Sequence, residues 1–160
     1  MKLSDLMDTL PQVGQVEWIG VRPARRETVA VVESVDASPE AGLDGDRYGR
    51  EGGKRQVTLI QAEHIEAVAS MLGVDEVDPA TLRRNIVVRG LNLVALKGKQ
   101  FKVGDAVLEY TGLCHPCSHM EDALGPGGYN AMRGHGGITA TVIDGGTISL
   151  GNSVGKVPAD

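Results

Sequence analysis

The chain has 160 residues, of which 41% are hydrophobic and 23% are charged, and this composition predicts one globular domain over residues 1–160. Only 3% of the residues are aromatic, so the core is expected to consist of Val, Ile, Leu and Ala. The net charge of −5 argues against general nucleic-acid binding, because proteins of that class carry a basic footprint.

No segment of the sequence resembles a signal peptide or a membrane span. Residues 1–5 contain no apolar run of the kind that begins a signal peptide. A membrane-spanning helix needs roughly 18 successive apolar residues, and no stretch of the chain approaches that length. We therefore expect a cytoplasmic protein that does not associate with membranes. In that reducing compartment its two cysteines are not expected to form a structural disulfide.

The first half of the chain contains signals for three strands and two helices. Runs of β-branched residues between Gly and Pro predict the strands. Apolar residues at helical spacing, ended by Pro11 and Gly73, predict the helices. His64 falls on the second helix and is predicted to lie at the surface. In chain order, we predict a helix over 3–10, strands over 13–21 and 28–35, a glycine-rich loop over 42–53, a strand over 56–60 and a helix over 63–72.

The second half continues as short strands with few helical residues. We predict a helical turn over 80–84, a strand over 85–89, two strand halves around a Gly104-Asp105 turn within 101–110, a helix from 118 to 124, a strand over 138–143 and a repeat of the same strand–turn pattern over 148–154. The total is seven or eight short strands with two or three helices. A closed or half-closed β-barrel is the architecture that best removes so many strand edges. The predicted class is therefore mainly β, a barrel with a few short α-helices.

Both cysteines and three of the four histidines lie between positions 114 and 135, which is the strongest chemical signal in the chain. The segment from Ser118 to Glu121 matches a capping box, so a helix is predicted to begin there. Cys117 then lies just before a helix N-terminus, with Cys114 one turn earlier at the end of a strand. The positive end of the helix dipole, with nearby His115 or His119, favours a thiolate.

The residues alone leave four interpretations of the cysteine pair open. The cysteines can be buried packing residues. They can form a zinc site with His119 and His135, although a second cysteine pair is missing. They can form a thioredoxin-like dithiol, although the expected βαβ frame is not predicted upstream. Finally, one cysteine can carry sulfur or bind a soft metal within a larger cofactor.

Two neighbouring segments favour the last interpretation. Residues 125–137 hold six glycines together with Arg133 and His135, a composition that lets backbone amides and a guanidinium approach an anion. A flexible lid without a ligand is the alternative for this loop. Arg47, Arg50, Lys54 and Arg55 lie within nine positions, and a local basic cluster in an acidic protein suits a small anionic ligand.

An ordered set of motifs resembles the MOSC domain, named for the C-terminal domain of molybdenum-cofactor sulfurases, and most closely its small stand-alone bacterial members. The set covers about positions 13–155 and no single piece of it is decisive. The matching segments are Gly45-Asp46-Arg47-Tyr48-Gly49, Gln56-Val57-Thr58-Leu59-Ile60, Leu82-Arg83-Arg84-Asn85-Ile86, the run 101–109, Gly112-Leu113-Cys114-His115-Pro116-Cys117, Arg133-Gly134-His135-Gly136-Gly137-Ile138-Thr139-Ala140, and Gly145-Gly146-Thr147-Ile148 with Gly151-Asn152.

The resemblance implies a β-barrel whose reactive cysteine binds molybdenum in the pterin cofactor or accepts sulfur from a pyridoxal-phosphate desulfurase. The family cysteine directly after proline corresponds to Cys117, with Cys114 as an additional cysteine in this chain. The family's Arg-Asn pair corresponds to Arg84 and Asn85, which are then expected to contact the pterin or its phosphate. The full predicted set for the molybdenum cofactor (molybdopterin) is Arg47, Lys54, Arg84, Asn85, His115, Arg133 and His135, with Cys117 as metal ligand and Cys114 as the second thiol.

Three functions follow as expectations. The protein is expected to carry sulfur or the cofactor, or to act as a molybdenum-dependent reductase of small N-hydroxylated compounds. A thioredoxin-like redox module that uses Cys114 and Cys117 remains the alternative. Because the chain lacks a desulfurase domain and the N-terminal partner domain of larger members, its sulfur donor or electron-donor reductase is expected to be a separate protein.

Overall fold

The computed structural model of the protein describes residues 1–158. Their eleven strands are β1 (Gly14–Val21), β2 (Ala30–Val32), β3 (Ser34–Ser38), β4 (Gly42–Leu43), β5 (Val57–Gln61), β6 (Ile86–Arg89), β7 (Gln100–Val103), β8 (Ala106–Leu113), β9 (Ile138–Asp144), β10 (Gly146–Ser149) and β11 (Ser153–Lys156). The α-helices are α1 (Leu3–Asp8), α2 (Ala62–Leu72), α3 (Pro79–Leu82), α4 (His119–Leu124) and α5 (Gly128–Met132), and a 3-10 helix spans Leu93–Leu96.

Seven of the strands form a closed barrel in the order β11-β7-β8-β9-β5-β6-β1. Closure comes from β1, which pairs antiparallel with β11 through Gly14–Val154 and Gln15–Ser153. The remaining strand of this sheet, β2, pairs with β1 outside the ring, and β10, β3 and β4 form a separate three-stranded sheet. The predicted mainly β barrel with short helices is confirmed.

Apolar side chains fill the barrel, and a second cluster packs α2 and the short helices against its wall. Leu59, Ile86 and Phe101 have no exposed surface inside the barrel. Leu82 and Met132 are equally buried in the second cluster, which also contains residues of α2. Burying a side chain of this size contributes about 1.5–3 kcal/mol. The second cluster therefore holds the segments around residues 84 and 133 against the barrel.

The structure corrects three details of the predicted elements. The strand predicted over 28–35 is broken at Glu33, where the chain bends from β2 to β3 and so passes from one sheet to the other. The glycine-rich segment 125–137 is not a loop throughout, because it contains α5. A βαβ unit also exists, since β5 and β6 are parallel and α2 lies between them in the chain.

That βαβ unit does not carry the cysteines. They follow β8, which pairs antiparallel with both β7 and β9. The local signature of a thioredoxin-like dithiol is a cysteine pair between a strand and a helix of a βαβ frame. The fold therefore gives no support to the dithiol interpretation. None of the helices in residues 1–158 is long and apolar enough to cross a membrane.

Candidate functional site

The cysteine segment leaves the barrel where β8 ends and returns to it through α4, α5 and β9. The end of β8 and the start of β9 are adjacent, because Leu113 pairs with Ile138. The segment before β6 lies against this junction, since Arg84 Nε donates to the carbonyl oxygen of Gly136 at 2.8 Å. Parts of three chain segments therefore meet around the thiols at one end of the barrel.

The two thiols differ in exposure. Cys114 is only 3% exposed, and its backbone N–H donates to the carbonyl of Gly137 at 2.8 Å. Its Sγ lies 3.9 Å from Nη2 of Arg55. Cys117 is exposed, and neither cysteine is in a disulfide. The thiol that the sequence predicts to react first is thus the one that solvent reaches.

This difference predicts selective labelling. We expect iodoacetamide near neutral pH to modify Cys117 at least about tenfold faster than Cys114, because alkylation requires access to the sulfur. Peptide mass spectrometry of the wild type and of Cys117→Ser and Cys114→Ser measures both rates. Faster modification of Cys114 in the wild type would reverse the assignment.

The capping box predicted at the start of α4 is wrong. Ser118 has helical dihedral angles and its side chain makes no capping hydrogen bond. The Glu121 carboxylate instead accepts hydrogen bonds from the backbone N–H groups of Gly127 at 3.1 Å and Tyr129 at 3.0 Å. These two bonds lower the pKa of Glu121. Because this carboxylate occupies amides at the start of α5, they are not available to an anionic ligand.

Arg84 carries the clearest sign of a missing partner. Its side chain is nearly buried, with 8% exposure, and donates to the carbonyl oxygens of Gly136 and Leu82 at 2.8 and 2.9 Å. Its Nη2 atom is buried without any hydrogen-bond partner. Burial lowers the pKa of Arg84, and the neighbouring charges of Arg22 and Arg55 lower it further, whereas the two thiols oppose this.

Unpaired buried donors are rare in native proteins, because each costs about 1–3 kcal/mol and more for a charged group. The Nη2 of Arg84 therefore remains a buried donor without a partner in residues 1–158. The guanidinium lies close to the backbone of Cys114, because Gly136, whose carbonyl accepts from Arg84 Nε, packs against the carbonyl of Cys114.

Asn85 has a structural role. Its side chain is completely buried, and its Nδ2 donates to the carbonyl of Gly20 at 2.9 Å and to Oδ1 of Asp46 at 3.1 Å. Its Oδ1 accepts from Arg22 Nη2 at 2.9 Å and from the backbone N–H of Thr58 at 3.0 Å. No side-chain atom of Asn85 is left for a ligand, so the predicted direct contact between Asn85 and a cofactor is not supported.

Asn85 belongs to a buried network centred on the Arg22–Asp46 ion pair. The Asp46 carboxylate accepts from the Arg22 backbone N–H at 2.7 Å, from Nε at 3.0 Å and from Nη2 at 2.9 Å. Both side chains are essentially inaccessible, at 6% and 0% exposure. Burial raises the pKa of Asp46, but the hydrogen bonds and charge of Arg22 outweigh it and lower the pKa below its usual value.

The loop before β5 forms a basic pocket of about 460 Å³ that contains two of the predicted ligand residues, Arg47 and Lys54. Arg55 also lines this pocket and connects it to Cys114. The guanidinium groups of Arg22 and Arg47 lie 4.4 and 4.8 Å from the centre of the Tyr48 ring, which orders this side of the pocket.

Four exposed cations line the pocket, and we name them the basic rim. Their loop is tied to the end of β1, because the backbone N–H of Arg47 donates to the carbonyl of Arg22 at 2.8 Å. None of the four forms an ion pair within residues 1–158. The rim consists of Arg47, Arg50, Lys54 and Arg55.

A second pocket, which also includes Cys114, contains two of the histidines. His115 is exposed and lines this pocket with His64, which is half-buried rather than on the open surface as predicted. The His64 ring meets His135 edge to face, with centroids 5.0 Å apart. Arg133 is exposed, lines neither pocket, and makes one long contact of 3.4 Å with Asn130.

Two glycines allow the close contacts that build this junction. A Cβ on Gly136 would lie 2.0 Å from the carbonyl oxygen of Cys114. A Cβ on Gly137, whose φ is +88°, would lie 2.0 Å from the carbonyl oxygen of Leu59. These glycines are therefore needed for close contacts within the protein. The sequence-based interpretation had instead expected them to let an anionic ligand approach the backbone.

The zinc interpretation finds no support in this geometry. Residues 1–158 contain no group of three or more His, Cys, Asp or Glu side chains arranged to hold a metal ion. A structural zinc site requires four such ligands in most cases. A metal held by one thiol within a larger cofactor does not need this cluster.

The sequence did not predict that Arg22 pairs with Asp46 or that His64 packs against His135. Arg22 and Asp46 are 24 positions apart, and no local pattern announces that they pair. His64 and His135 are joined only by tertiary structure. The signal for Asp46 was present in the Gly45-Asp46-Arg47-Tyr48-Gly49 motif, but its role was not predicted.

The comparisons with known proteins agree with this architecture. YuaD from Bacillus subtilis matches with a TM-score of 0.76 and 18% identity, over 91% of this chain and 97% of that chain. YiiM from Geobacillus stearothermophilus gives a TM-score of 0.72 and 19% identity, over 91% and 75%. YiiM from Escherichia coli matches with a TM-score of 0.68 and 19% identity, over 91% of this chain and 71% of that chain. No curated protein matches the chain. The family model of the MOSC domain matches residues 44–155, and the chain therefore belongs to the MOSC domain family.

Proposed function

We propose that this protein binds the molybdenum cofactor at the thiol end of the barrel, with Cys117 as the ligand to molybdenum. The observation that carries the proposal is the buried Nη2 of Arg84, which has no hydrogen-bond partner and belongs to a side chain bonded to Gly136 next to the Cys114 backbone. A planar guanidinium recognises phosphate and carboxylate oxygens well, because it presents fixed parallel donors. A cofactor with an anionic arm and a soft metal satisfies both this donor and the thiol.

The residues present fit such a group. Arg84 offers a free donor, and the basic pocket, which Arg55 connects to Cys114, adds the positive charge of Arg47 and Lys54. Cys117 is exposed and supplies a soft sulfur ligand. The Arg22–Asp46–Asn85 network lies behind these residues and positions the loops that carry them. His115, His135 and Arg133 are retained as secondary members of the proposed site.

Two uses of the bound cofactor are proposed. In the first, the protein reduces small N-hydroxylated compounds: two electrons and two protons cleave the N–O bond to give an amine and water, and a separate electron-donor protein supplies the electrons. The cofactor provides the two-electron redox chemistry. In the second, Cys117 carries sulfur: its thiolate attacks the outer sulfur of a desulfurase persulfide, the S–S bond of that persulfide breaks, and the desulfurase thiolate leaves.

The test is to produce the protein in a host that synthesises molybdenum cofactor. We expect molybdenum to co-purify with the wild type and to give a visible absorption band. Cys117→Ser should lose the metal, and Cys114→Ser should keep most of it, because binding needs one sulfur.

The same preparations separate the alternatives. A persulfide on metal-free Cys117, detected as the added mass of one sulfur atom, favours the carrier. Turnover with an artificial reductant favours the enzyme. Absence of both metal and persulfide from the wild type, or equal loss in the two cysteine variants, would contradict the proposal. The proposal includes a cytoplasmic location for these activities.

A further inference from the structure

A groove alongside α2 lies outside the two pockets described above. It has a volume of about 550 Å³ and is bounded by α2, by the segment that connects α2 to α3, and by residues of β1 and β6. It shares no residue with the basic pocket or with the pocket of His64. We name it the α2 groove and define it by an apolar floor (Ile65, Ala69 and Val87) and an acidic rim (Glu17, Glu66, Asp75 and Glu76).

Helix geometry places this groove and the thiol end on different sides of α2. Ile65 and Ala69 are four positions apart and therefore lie on one face of the helix. His64 lies on another face, where it meets His135 and lines the pocket that contains Cys114. An occupant of the α2 groove therefore leaves the thiol end open.

The outer wall of the groove is held in a fixed shape at both of its ends. Gly73 ends α2 in the left-handed conformation, with φ of +70°, and the N–H of Val74 donates to the carbonyl of Ala69 at 3.0 Å. At the other end of the wall, the Asp78 carboxylate accepts from the N–H of Ala80 at 3.0 Å and begins α3. The wall between these two caps is therefore formed before any partner binds.

The floor of the groove is apolar, and one apolar side chain at its edge is open to solvent. Ile65 and Val87 are almost buried and also belong to the second apolar cluster. Val74 lines the groove and is 49% exposed, so much of its apolar surface is uncovered within residues 1–158. Burial of apolar surface is favourable in proportion to the area removed from water. The groove therefore favours an occupant with an apolar side chain.

The rim gives the groove a negative charge. Its lining contains four carboxylates and one guanidinium, which is a net charge of −3, and no Lys or His. Arg89 binds the carboxylates of Glu17 and Glu66 and neutralises part of the charge at β1 and α2. Asp75 and Glu76 in the connecting segment are exposed and form no ion pair within residues 1–158. This uncompensated charge repels anions and attracts cations.

We infer that the α2 groove docks a segment of another protein that carries an apolar side chain flanked by Arg or Lys. The floor takes the apolar side chain, and the rim takes the cations beside it. A single exposed ion pair contributes little in water, so this open groove needs an occupant that makes several such contacts at once. A peptide segment does so, and a small cation does not. The inference goes beyond the proposed function and does not rest on it, because the groove shares no residue with the pockets at the thiol end.

The test uses three acetylated and amidated peptides of equal length, which alternate Arg with Leu, Glu with Leu, or Arg with Ser. Calorimetric titration of the cofactor-free full chain gives the affinities, and backbone amide NMR shifts give the location. The Arg–Leu peptide should bind at least about tenfold more tightly than the other two, because each of them lacks either the charge or the apolar side chain. Its binding should weaken as salt is added. The shifted amides should lie around Val74 and Asp75.

A charge reversal and a matched control locate the binding site. Asp75→Lys combined with Glu76→Lys should weaken binding of the Arg–Leu peptide by at least about tenfold, because it replaces both unpaired rim carboxylates. Glu33→Lys combined with Glu109→Lys changes the net charge equally at exposed positions outside the groove and should bind as the wild type does. Thermal unfolding of both double variants checks that they are folded.

Other results would overturn the inference. Equal binding of the Arg–Leu and Glu–Leu peptides, or unchanged binding in the Asp75→Lys/Glu76→Lys variant, would show that the groove does not select a basic segment. Benzylammonium that binds the groove as tightly as the peptide would assign it to a small organic cation. Self-association of the wild type that this charge reversal abolishes would assign it to a second copy of the chain. Absence of molybdenum from the purified protein would remove the proposed function and leave this inference standing, and failure of peptide binding would do the reverse.

Discussion

Asp46→Asn is expected to lower the free energy of unfolding by about 3–5 kcal/mol, the effect of breaking a buried ion pair from one side. The substitution leaves the Arg22 guanidinium buried without its counter-charge and places an amide donor where three donors of Arg22 converge. Denaturant unfolding at neutral pH measures the loss. Asp44→Asn is the matched control, because Asp44 is exposed in the same loop and forms no ion pair within residues 1–158.

The same ion pair makes the stability of the folded protein depend on pH. The pKa of Asp46 in the folded protein lies below the usual 3.8, so the folded state binds this proton less readily than the unfolded chain. Its contribution to stability is therefore complete at neutral pH and is lost as the pH falls through the folded-state pKa. Asp46→Asn should flatten the acid side of the stability profile. A variant as stable as wild type, with an unchanged acid limb, would show that the ion pair contributes nothing.

Arg84→Met is expected to lower molybdenum occupancy by at least about tenfold, the effect of losing one charge-assisted contact of 1.5–3 kcal/mol. Stability should change by no more than about 1 kcal/mol. The variant loses the hydrogen bonds to Gly136 and Leu82, but it also removes a buried charge that has an unpaired donor and lies near Arg22 and Arg55. The lost hydrogen bonds lower the stability, and the removal of the buried charge raises it.

Elemental analysis gives the occupancy, and denaturant unfolding gives the stability of the same preparations. Arg84→Lys keeps the charge without the planar pair of donors, so it should fall between wild type and Arg84→Met. Arg89→Met is the control for removing an arginine, since Arg89 is exposed and pairs with Glu17 and Glu66 on another face. Full occupancy in Arg84→Met would remove Arg84 from the site, and a stability loss of several kcal/mol would make it structural.

The barrel was predictable because its strands carry their own signals. The runs around residues 57–61 and 138–144 are rich in β-branched residues, and their burial on the barrel wall follows from that composition. The division of 28–35 into β2 and β3 was not predictable, because both halves have strand composition and only the distant partners β1 and β10 separate them. Sheet membership depends on contacts that local propensity does not encode.

The candidate site was predictable as a segment but not as a geometry. The cysteine pair and the arginines were visible as residue types, and the family match covers the segments around residues 47–55, 84 and 114–117 that carry them. The role of Asn85 was misassigned because a buried amide and a ligand-binding amide look identical in sequence. His64 was misplaced for a related reason: helical periodicity gives the face of α2 on which it lies, but not the later residue His135 that covers that face.

The basic rim also affects how molecules reach the protein. The chain as a whole carries a charge of −5, while the four rim cations line one pocket, so the remaining surface is more negative than the net charge suggests. Such a separation makes the molecule an electric dipole whose positive pole lies at the thiol end. A diffusing anion is repelled over most of the surface and turned toward that pole before contact, within a range of about 8 Å at physiological salt. Encounters with anions are thus oriented before any specific contact forms.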